Sequence, residues 1–392
     1  MVRASILLAG MVAAILLLCG AVLAQAQSSK GGSPADRYVV VLTDEVSSPG
    51  NSAQGMARRY GLGVGLVYTH GLKGFSAVIP NERVAEVRND PQVDYIAPDV
   101  AVSASSQVLP WGVNRVDADL SSTKAGNGWG AVKGVSVYVI DTGIYKHHDL
   151  NVVKHINFRG DNKNYDCDGH GTLVAGTVAA QDNAFAVVGV SPAAPLTGVK
   201  VLGCAGGGTI STLVAGINWV TANAKKPAVA NLSLATNDPC RLVSNACKAI
   251  DDAVKKSRNS GVFYAVAAGN DGKNACSYSP ARAGAGTNNG IATVAATNSK
   301  NAEIRISNYG PCVDLWAPGA RILSTKRGGG TRYETGTSMA TPHVSGGAAL
   351  YRRAHPKSRP SGVEAALKNA AKNLSKKSKD GRVIRLENVN RF

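Results

Sequence analysis

Apolar runs typical of buried strands alternate with helix-like runs through the C-terminal part of the chain. Residues 135–140 (VSVYVI) form a mainly apolar stretch, which is typical of a strand buried in a parallel sheet. Further strand, helix, strand and helix patterns follow at residues 196–202, 210–224, 229–234 and 243–256. This alternation predicts an α/β fold with a largely parallel central sheet and helices on both faces. We predict one domain over residues 105–392.

Residues 37–100 have a different pattern. Strand-like and helix-like runs follow one another there at residues 37–42, 52–60, 64–68, 75–79, 81–88 and 93–96. The βαββαβ order predicts a small α+β, ferredoxin-like unit. The small and polar residues 101–108 that follow are predicted to be an extended linker.

The first residues have the pattern of a secretory signal peptide. Arg3 precedes an apolar run at residues 6–23, and the small residues Ala24-Gln25-Ala26 follow as a cleavage signal. A transmembrane anchor is the alternative, since the run is near the lower limit for a span, but Gly10 and Gly20 disfavour it. We therefore predict a signal peptide at 1–26, a secreted, extracellular protein, and no membrane association after the signal is removed.

The charge is concentrated in the later domain. The chain has a formal net charge of +17, and residues 1–104 contain eight basic and eight acidic residues, so the excess belongs to residues 105–392. A basic protein attracts acidic polymers, but no RNA- or DNA-binding motif occurs, so no specific nucleic-acid partner is expected. The lysines near the C-terminal end are predicted to form a solvated, partly disordered segment: Lys372, Lys376, Lys377 and Lys379.

Export makes the cysteines informative, because disulfides persist outside the cell. Removing Cys19 with the signal leaves an even number: Cys167, Cys204, Cys240, Cys247, Cys276 and Cys312. Six cysteines allow fifteen pairings, and spacing alone does not choose among them.

Three motifs carry candidate chemistry. Asp141 lies in VIDTG, His170 in GHGT and Ser338 in GTSMATPH. A serine hydroxyl needs an imidazole to accept its proton and a carboxylate to orient that imidazole. The order Asp, His, Ser is one of the orders in which such triads occur. No HExxH or paired CxxC motif occurs, so no cofactor is expected for catalysis.

The predicted elements suit these roles. Asp141 follows the strand at 135–140, and sites in open α/β sheets form beyond the carboxyl ends of strands. His170 precedes a helix-like run of small and apolar residues. Ser338 precedes the apolar run 339–351, so it is predicted in the first turn of a buried helix, where the helix dipole favours negative charge.

Together these motifs resemble the subtilisin-like serine proteases, or subtilases. The segments DCDGHGT at 166–172 and CSYSPAR at 276–282 are similar to the proteinase K group, in particular its aqualysin-like secreted members. The resemblance implies a secreted serine endopeptidase that acts on proteins and peptides and is a monomer. It also implies that Asn270 supplies a side-chain donor to the oxyanion. A loop cap is the alternative role for an Asn after a strand.

The resemblance extends to processing and covalent structure. Residues 27–104, with a folded part at about 37–100, resemble the inhibitory propeptide of secreted subtilases, and LPWG at 109–112 resembles a mature start. A permanent regulatory domain is the alternative. The group's bridges imply the pairs Cys167–Cys204 and Cys276–Cys312, which leaves Cys240 with Cys247; a metal or free-thiol role is the alternative for that last pair.

Two segments match the family's peptide-binding edges and imply binding by strand addition: Gly206, Gly207 and Gly208, and Ser233, Leu234 and Ala235. Ala267, Ala268 and Gly269 are expected to line a roomy, apolar pocket for the residue before the cut. We therefore expect broad cleavage with an apolar or aromatic preference. A selective processing protease and a non-enzymatic binding protein on the same scaffold are the alternatives.

Four further residues complete the predictions. Asp314 matches a carboxylate ligand of the structural calcium site in proteinase K, with carbonyls expected from near Asn289 and Ile291. His343 is expected to be a packed helix residue. His147 and His148 are expected in a surface loop.

Overall fold

The computed structural model describes residues 36–100 and 107–392, in two compact units that divide between Ala104 and Ser105. The predicted signal peptide, and residues 101–106 of the predicted linker, lie outside the described residues. Within the described ranges, no helix combines the length and the hydropathy that a membrane span requires.

The first unit is a four-stranded antiparallel sheet with two helices. Its strands are β1 (Arg37–Leu42), β2 (Gly63–Tyr68), β3 (Gly74–Val78) and β4 (Val93–Pro98), in the order β2-β3-β1-β4. Its helices are α1 (Pro49–Tyr60) and α2 (Val84–Arg88). Val40, Met56 and Phe75 are at most 1% exposed and form its core. The predicted α+β unit is confirmed, although residues 81–83 form a 3₁₀ turn rather than the start of the second helix.

The second unit is built on a nine-stranded sheet in the order β14-β15-β11-β10-β9-β8-β5-β7-β6. All its pairs are parallel except β14 with β15. The strands are β5 (Ser136–Asp141), β6 (Val152–Asn157), β7 (Leu196–Lys200), β8 (Ala228–Leu232), β9 (Val262–Ala267), β10 (Ile291–Thr297), β11 (Leu315–Pro318), β14 (Lys372–Lys377) and β15 (Val383–Leu386). A separate hairpin joins β12 (Ile322–Thr325) to β13 (Thr331–Glu334). The predicted α/β fold is confirmed.

Helices cover both faces of this sheet. They are α3 (Trp111–Arg115), α4 (His170–Ala179), α5 (Ile210–Asn223), α6 (Ser244–Asn259), α7 (Thr337–Ala354) and α8 (Pro360–Ala370). One core contains Leu173, Val344 and Leu367 from α4, α7 and α8. A second core, with Ile217 and Val254, lies between the other face of the sheet and helices α5 and α6. Burial of both sheet faces explains why its central strands are largely apolar.

The prediction for the C-terminal lysines is wrong in one respect. Residues 372–377 form the edge strand β14, paired antiparallel with β15, rather than a disordered end. Most of its side chains are exposed, and charged residues are typical of edge strands because they oppose pairing with another chain.

Candidate active site

The predicted site residues meet at one edge of the sheet. Asp141 is the last residue of β5, and Ser233 and Asn270 follow the ends of β8 and β9. These three strands are parallel neighbours, so their carboxyl ends lie side by side. The position is the one that the fold favours for ligand sites.

Asp141 and His170 form a direct hydrogen bond. His170 Nδ1 lies 2.8 Å from Asp141 Oδ1, which also accepts the Thr142 N–H at 2.7 Å. Asp141 is fully buried, whereas 27% of the His170 side chain is exposed. Because Nδ1–H donates to the carboxylate, Nε2 is the nitrogen available as a base.

A glycine after His170 allows this approach. A Cβ atom at Gly171 would lie 2.1 Å from the carbonyl oxygen of Gly143 and 3.1 Å from Asp141 Cβ. A larger residue would push the start of α4 away from the end of β5. The glycine therefore brings the imidazole within hydrogen-bonding distance of the carboxylate.

The surroundings also set the protonation of His170. Burial lowers the pKa of His170, but the carboxylates of Asp141, Asp168 and Asp166 oppose it, and the net result is a pKa above the ordinary 6.5. The same carboxylates therefore favour the protonated imidazolium of His170.

Asp166 is a positioning residue that the sequence analysis missed. Its buried Oδ1 accepts hydrogen bonds from Thr142 Oγ1 at 2.9 Å and from the Gly169 N–H at 2.7 Å, and Oδ2 accepts the Thr172 N–H at 2.9 Å. It thereby ties the first turn of α4 to the end of β5. The DCDGHGT motif was the available signal, because an Asp shortly before a helix is a favoured N-terminal acceptor.

Ser338 occupies the first turn of α7, as predicted. Its Oγ donates to the Ser233 carbonyl at 3.0 Å, and Ser233 Oγ donates to the Ser338 carbonyl at 2.8 Å. Over residues 36–100 and 107–392, Ser338 Oγ makes no hydrogen bond with His170. Hydrogen bonds of this kind are often long or poorly aligned in sites without substrate and tighten when the substrate binds.

Asn270 is held in a fixed orientation. Its Oδ1 accepts the N–H of Thr337 at 2.9 Å and the Thr337 hydroxyl at 3.1 Å. Both acceptor contacts are on one side of the amide, so the Nδ2 hydrogens remain available as donors next to Ser338. Thr337 is a second positioning residue, and the sequence analysis did not identify it.

Two cavities flank the segment 233–235. The smaller one, of about 210 Å³, is lined by Ala267, Gly269, Asn270, Asp271 and Ser338 among others. The larger one, of about 480 Å³, contacts His170 and the predicted edge segments, and it is also lined by apolar side chains: Leu202, Ile210, Leu213, Val243 and Ile250. Both predicted edge segments therefore border the cleft.

The prediction of a roomy apolar pocket beside Ser338 is wrong in two respects. Ala268 does not line the cavity: it is fully buried and packs in a core with Trp316 and Ile384. Successive strand residues point to opposite sides, which separates Ala268 from Ala267. The smaller cavity also includes polar side chains such as Asn270 and Asp271, whereas the apolar side chains Leu202, Leu213 and Ile250 line the larger cavity.

The structure contains three disulfides. They join Cys167 to Cys204, Cys240 to Cys247, and Cys276 to Cys312. The first crosses from the segment before α4 to the segment after β7, so it anchors the loop that leads to His170.

The geometry at Asp314 does not fit the predicted calcium ion. Asp314 Oδ1 lies 2.9 Å from the Lys368 ammonium, and Oδ2 accepts the Thr293 N–H at 2.9 Å. The same ammonium is 3.0 Å from Glu364. A resident lysine therefore supplies the positive charge beside these buried carboxylates.

A different group of oxygen atoms converges on the side chain of Gln107. The Gln107 Nε2 lies 2.6 Å from the Gln181 carbonyl, 3.3 Å from the Val187 carbonyl and 3.5 Å from Asn183 Oδ1. Three oxygens thus converge on an amide nitrogen that has only two hydrogens. The Asn183 side chain also contacts the buried carboxylate of Asp149, at 2.9 Å. Burial raises the pKa of Asp149 to about 6.

Two of the three other histidines have the predicted exposure, and one does not. His343 is buried in α7 and donates from Nδ1 to the Met339 carbonyl, as predicted. His148 is exposed, but His147 is buried. The Nδ1 of His147 accepts the Asp149 N–H, so this ring shapes the loop that presents Asp149.

Family comparisons agree with this geometry. The subtilase family matches residues 132–385. The chain belongs to the subtilase family. The peptidase inhibitor I9 family matches residues 37–105, in the first unit. The fold, the family match and the similar proteases together show that this subtilase is a serine endopeptidase.

Its relatives are bacterial and fungal proteases. An alkaline serine exoprotease A of Vibrio alginolyticus is 38% identical over 86% of this chain, which spans 64% of that protein. An extracellular serine proteinase of a Thermus strain is 41% identical over 78% of this chain and 73% of its own length. The crystal structure of a cold-adapted subtilisin-like serine proteinase superposes with a TM-score of 0.61 at 35% identity, covering 73% of this chain and 99% of the other.

Proposed function

We propose that this subtilase is a secreted endopeptidase in which Asp141, His170 and Ser338 form the catalytic triad. The observation that supports it best is the 2.8 Å bond between His170 Nδ1 and the buried Asp141 carboxylate, at the sheet edge where α7 begins with Ser338. The test is the loss of activity on replacing Ser338, which is described in the Discussion.

The reaction follows from these positions. Ser338 Oγ attacks the peptide carbonyl carbon while its proton passes to His170 Nε2, and the carbonyl oxygen becomes an oxyanion. The C–N bond then breaks as His170 returns the proton to the leaving amine. Water deprotonated by His170 attacks the acyl-enzyme and releases the acid product and free Ser338.

Asn270 Nδ2 and the backbone N–H of Ser338 are the proposed oxyanion donors. Removing one such donor costs about 10²–10³ in turnover. Because Asn270 Oδ1 accepts hydrogen bonds from Thr337, the amide is oriented before substrate binds.

We propose that the peptide pairs with both edge segments, 206–208 and 233–235, through its main chain. This mode tolerates many sequences, and the apolar part of the larger cavity favours apolar or aromatic side chains there. A selective processing protease is the second candidate. Cleavage of a mixed peptide library separates them, because a selective enzyme would cut at only a few related sequences.

The pKa of His170 gives a prediction on pH. The imidazolium cannot accept the serine proton, so a pKa raised above 6.5 moves the onset of activity to higher pH. We expect kcat/KM for an uncharged peptide to rise with pH through a midpoint above 6.5. A midpoint below 6 in a folded enzyme would contradict the role of the carboxylates around His170.

The domain assignment is also a proposal. We propose that residues 1–26 direct secretion, that residues 27–104 are an inhibitory propeptide, and that residues 105–392 are the mature peptidase. The match of residues 37–105 to the I9 inhibitors supports the second part. The names of the extracellular and alkaline relatives support secretion.

Maturation should therefore cut the chain between Ser103 and Val108, because the segment offers small residues that many subtilases accept. We expect the secreted enzyme to begin a few residues before Leu109, as determined by N-terminal sequencing. The separately produced segment 27–104 should inhibit the mature enzyme. A mature protein that begins before Arg37, or a segment without inhibition, would show instead that the first unit is permanent.

We propose that structural calcium is held by the oxygen group of Asp149 rather than at Asp314. The ligands would be Asp149, Asn183, Gln107 and the carbonyls of Gln181 and Val187. Oxygen donors of this kind suit Ca²⁺, and the ion would compensate the buried carboxylate.

A further inference from the structure

A third cavity, of about 430 Å³, lies at the other end of the sheet from the substrate cleft. Most of its lining comes from residues 122–133, which precede β5, whereas Asp141 is the last residue of that strand. Arg353 lines the cavity from the end of α7, the helix that begins beside Ser338. Because a helix rises about 1.5 Å per residue, Arg353 is about 22 Å from Ser338 along the helix axis. A ligand in this cavity and a peptide in the cleft can therefore be bound at the same time.

Three cations line this cavity: Lys124, Lys133 and Arg353. All three are exposed, and within residues 36–100 and 107–392 none of them forms an ion pair. The described residues that line the cavity include no carboxylate. The excess positive charge of the protein belongs to this same unit. The cavity therefore favours a ligand with several negative charges.

Trp129 adds a flat apolar surface to the same cavity. Its side chain is 88% exposed, the largest fraction among the exposed large apolar side chains in the part of the chain that the structure describes. Tryptophan is enriched at binding surfaces because its large ring is apolar and its N–H is a donor. The exposed indole is therefore a surface on which a flat ring of a ligand can stack.

The loop that carries Trp129 is held in place by Asp182. The buried carboxylate of Asp182 accepts three backbone N–H groups of this loop at 2.9 to 3.1 Å, those of Gly126, Gly128 and Gly130. The indole is thus presented by an ordered loop, so little conformational entropy is lost when a ligand binds.

We propose that this cavity binds single-stranded nucleic acid without sequence preference, with a base stacked on Trp129 and phosphates paired with the three cations. Sites of this class combine cations that contact the phosphates with an aromatic ring that accepts any base. Neither interaction reads a base edge, which agrees with the absence of a sequence-specific binding motif. A membrane surface fits less well, since Trp129 is the one large apolar side chain among the described residues that line the cavity.

The test compares the binding of two labelled strands to the mature enzyme by fluorescence anisotropy. One is a short oligothymidylate, and the other is an abasic strand of the same length and charge. The oligothymidylate should bind at least about five-fold more tightly, which is the lower end of what the stacking of one base contributes. The logarithm of its affinity should fall with the logarithm of the salt concentration with a slope of about −2, as expected for three phosphate contacts. Hydrolysis of a peptide anilide should not change when the strand is bound.

Variants separate stacking from charge. Trp129→Ala should remove the preference for oligothymidylate over the abasic strand, whereas Trp129→Phe should keep part of it. Replacing Lys124 and Lys133 together by alanine should reduce the salt slope to about −0.7. Replacing Lys376 and Lys377 by alanine removes the same charge from the exposed edge strand β14, so this control should keep the slope of the wild-type enzyme. All five side chains are exposed, and an unchanged melting temperature confirms that each variant is folded.

Equal binding of the two strands, or a folded Trp129→Ala variant that keeps the preference, would overturn the inference. Tighter binding of polygalacturonate than of oligothymidylate, lost in the variant without Lys124 and Lys133, would assign the cavity to an acidic polysaccharide instead. Inhibition of anilide hydrolysis by the oligothymidylate would place the strand in the cleft and would also refute the inference.

Discussion

Ser338→Ala should remove essentially all peptidase activity from this subtilase. The alanine has no hydroxyl to form the acyl-enzyme, and loss of the nucleophile costs about 10⁶ in turnover in subtilisin, another member of the family. Hydrolysis of casein and of a peptide anilide measures the effect. The unprocessed chain should accumulate as well, because the proposed maturation cut needs the same nucleophile.

Two further variants test the same assignment, one in the proposed triad and one as a control. His170→Ala should be as inactive as Ser338→Ala, since the two residues act as one unit. Ser361→Ala, in α8 and away from the cleft, should keep normal activity and maturation. A folded Ser338→Ala protein that still cuts casein at a comparable rate would mean that the triad assignment is wrong.

Removing calcium should lower the melting temperature of the mature enzyme through the oxygen group of Asp149. Saturating an ion at a hundred times its Kd stabilises a fold by about 2.7 kcal/mol, or about 5 °C for a domain of this size. Without the ion, burial raises the pKa of Asp149 to about 6. The ion-free fold loses stability as the pH rises from 3.8, the ordinary pKa of an Asp carboxyl, through about 6, so chelation should cost more stability at pH 8 than at pH 5.

Matched Asp→Asn variants test the position of the ion. Asp149→Asn should abolish most of the calcium-dependent rise in melting temperature, whereas Asp314→Asn should retain it, because Lys368 already neutralises the Asp314 site. If Asp314→Asn abolished the calcium-dependent rise and Asp149→Asn retained it, the calcium site predicted from the sequence at Asp314 would be supported instead. If the melting temperature of the wild-type enzyme were the same with and without calcium, both sites, at Asp149 and at Asp314, would be refuted.

Local patterns in the sequence determined much of this protein. Apolar runs predicted the strand that ends at Asp141 and the helix that starts at Ser338, since burial on both faces leaves a continuous apolar stretch. The βαββαβ order predicted the first unit. The triad motifs were visible because each couples a reactive side chain to the glycines or small residues that its close packing requires, as Gly171 shows.

Contacts between distant segments were decided only by the tertiary structure. Lys368 reaches Asp314 across 54 positions, and Gln107 reaches the Gln181 carbonyl across 74. No local pattern specifies such pairs, because they depend on which loops the sheet order brings together. The apolar lining of the larger cavity has the same origin, because Leu202, Leu213 and Ile250 come from distant parts of the chain. The sequence determined the main strands and helices and the candidate reactive residues, whereas the packing of those elements decided which oxygens and cations surround them.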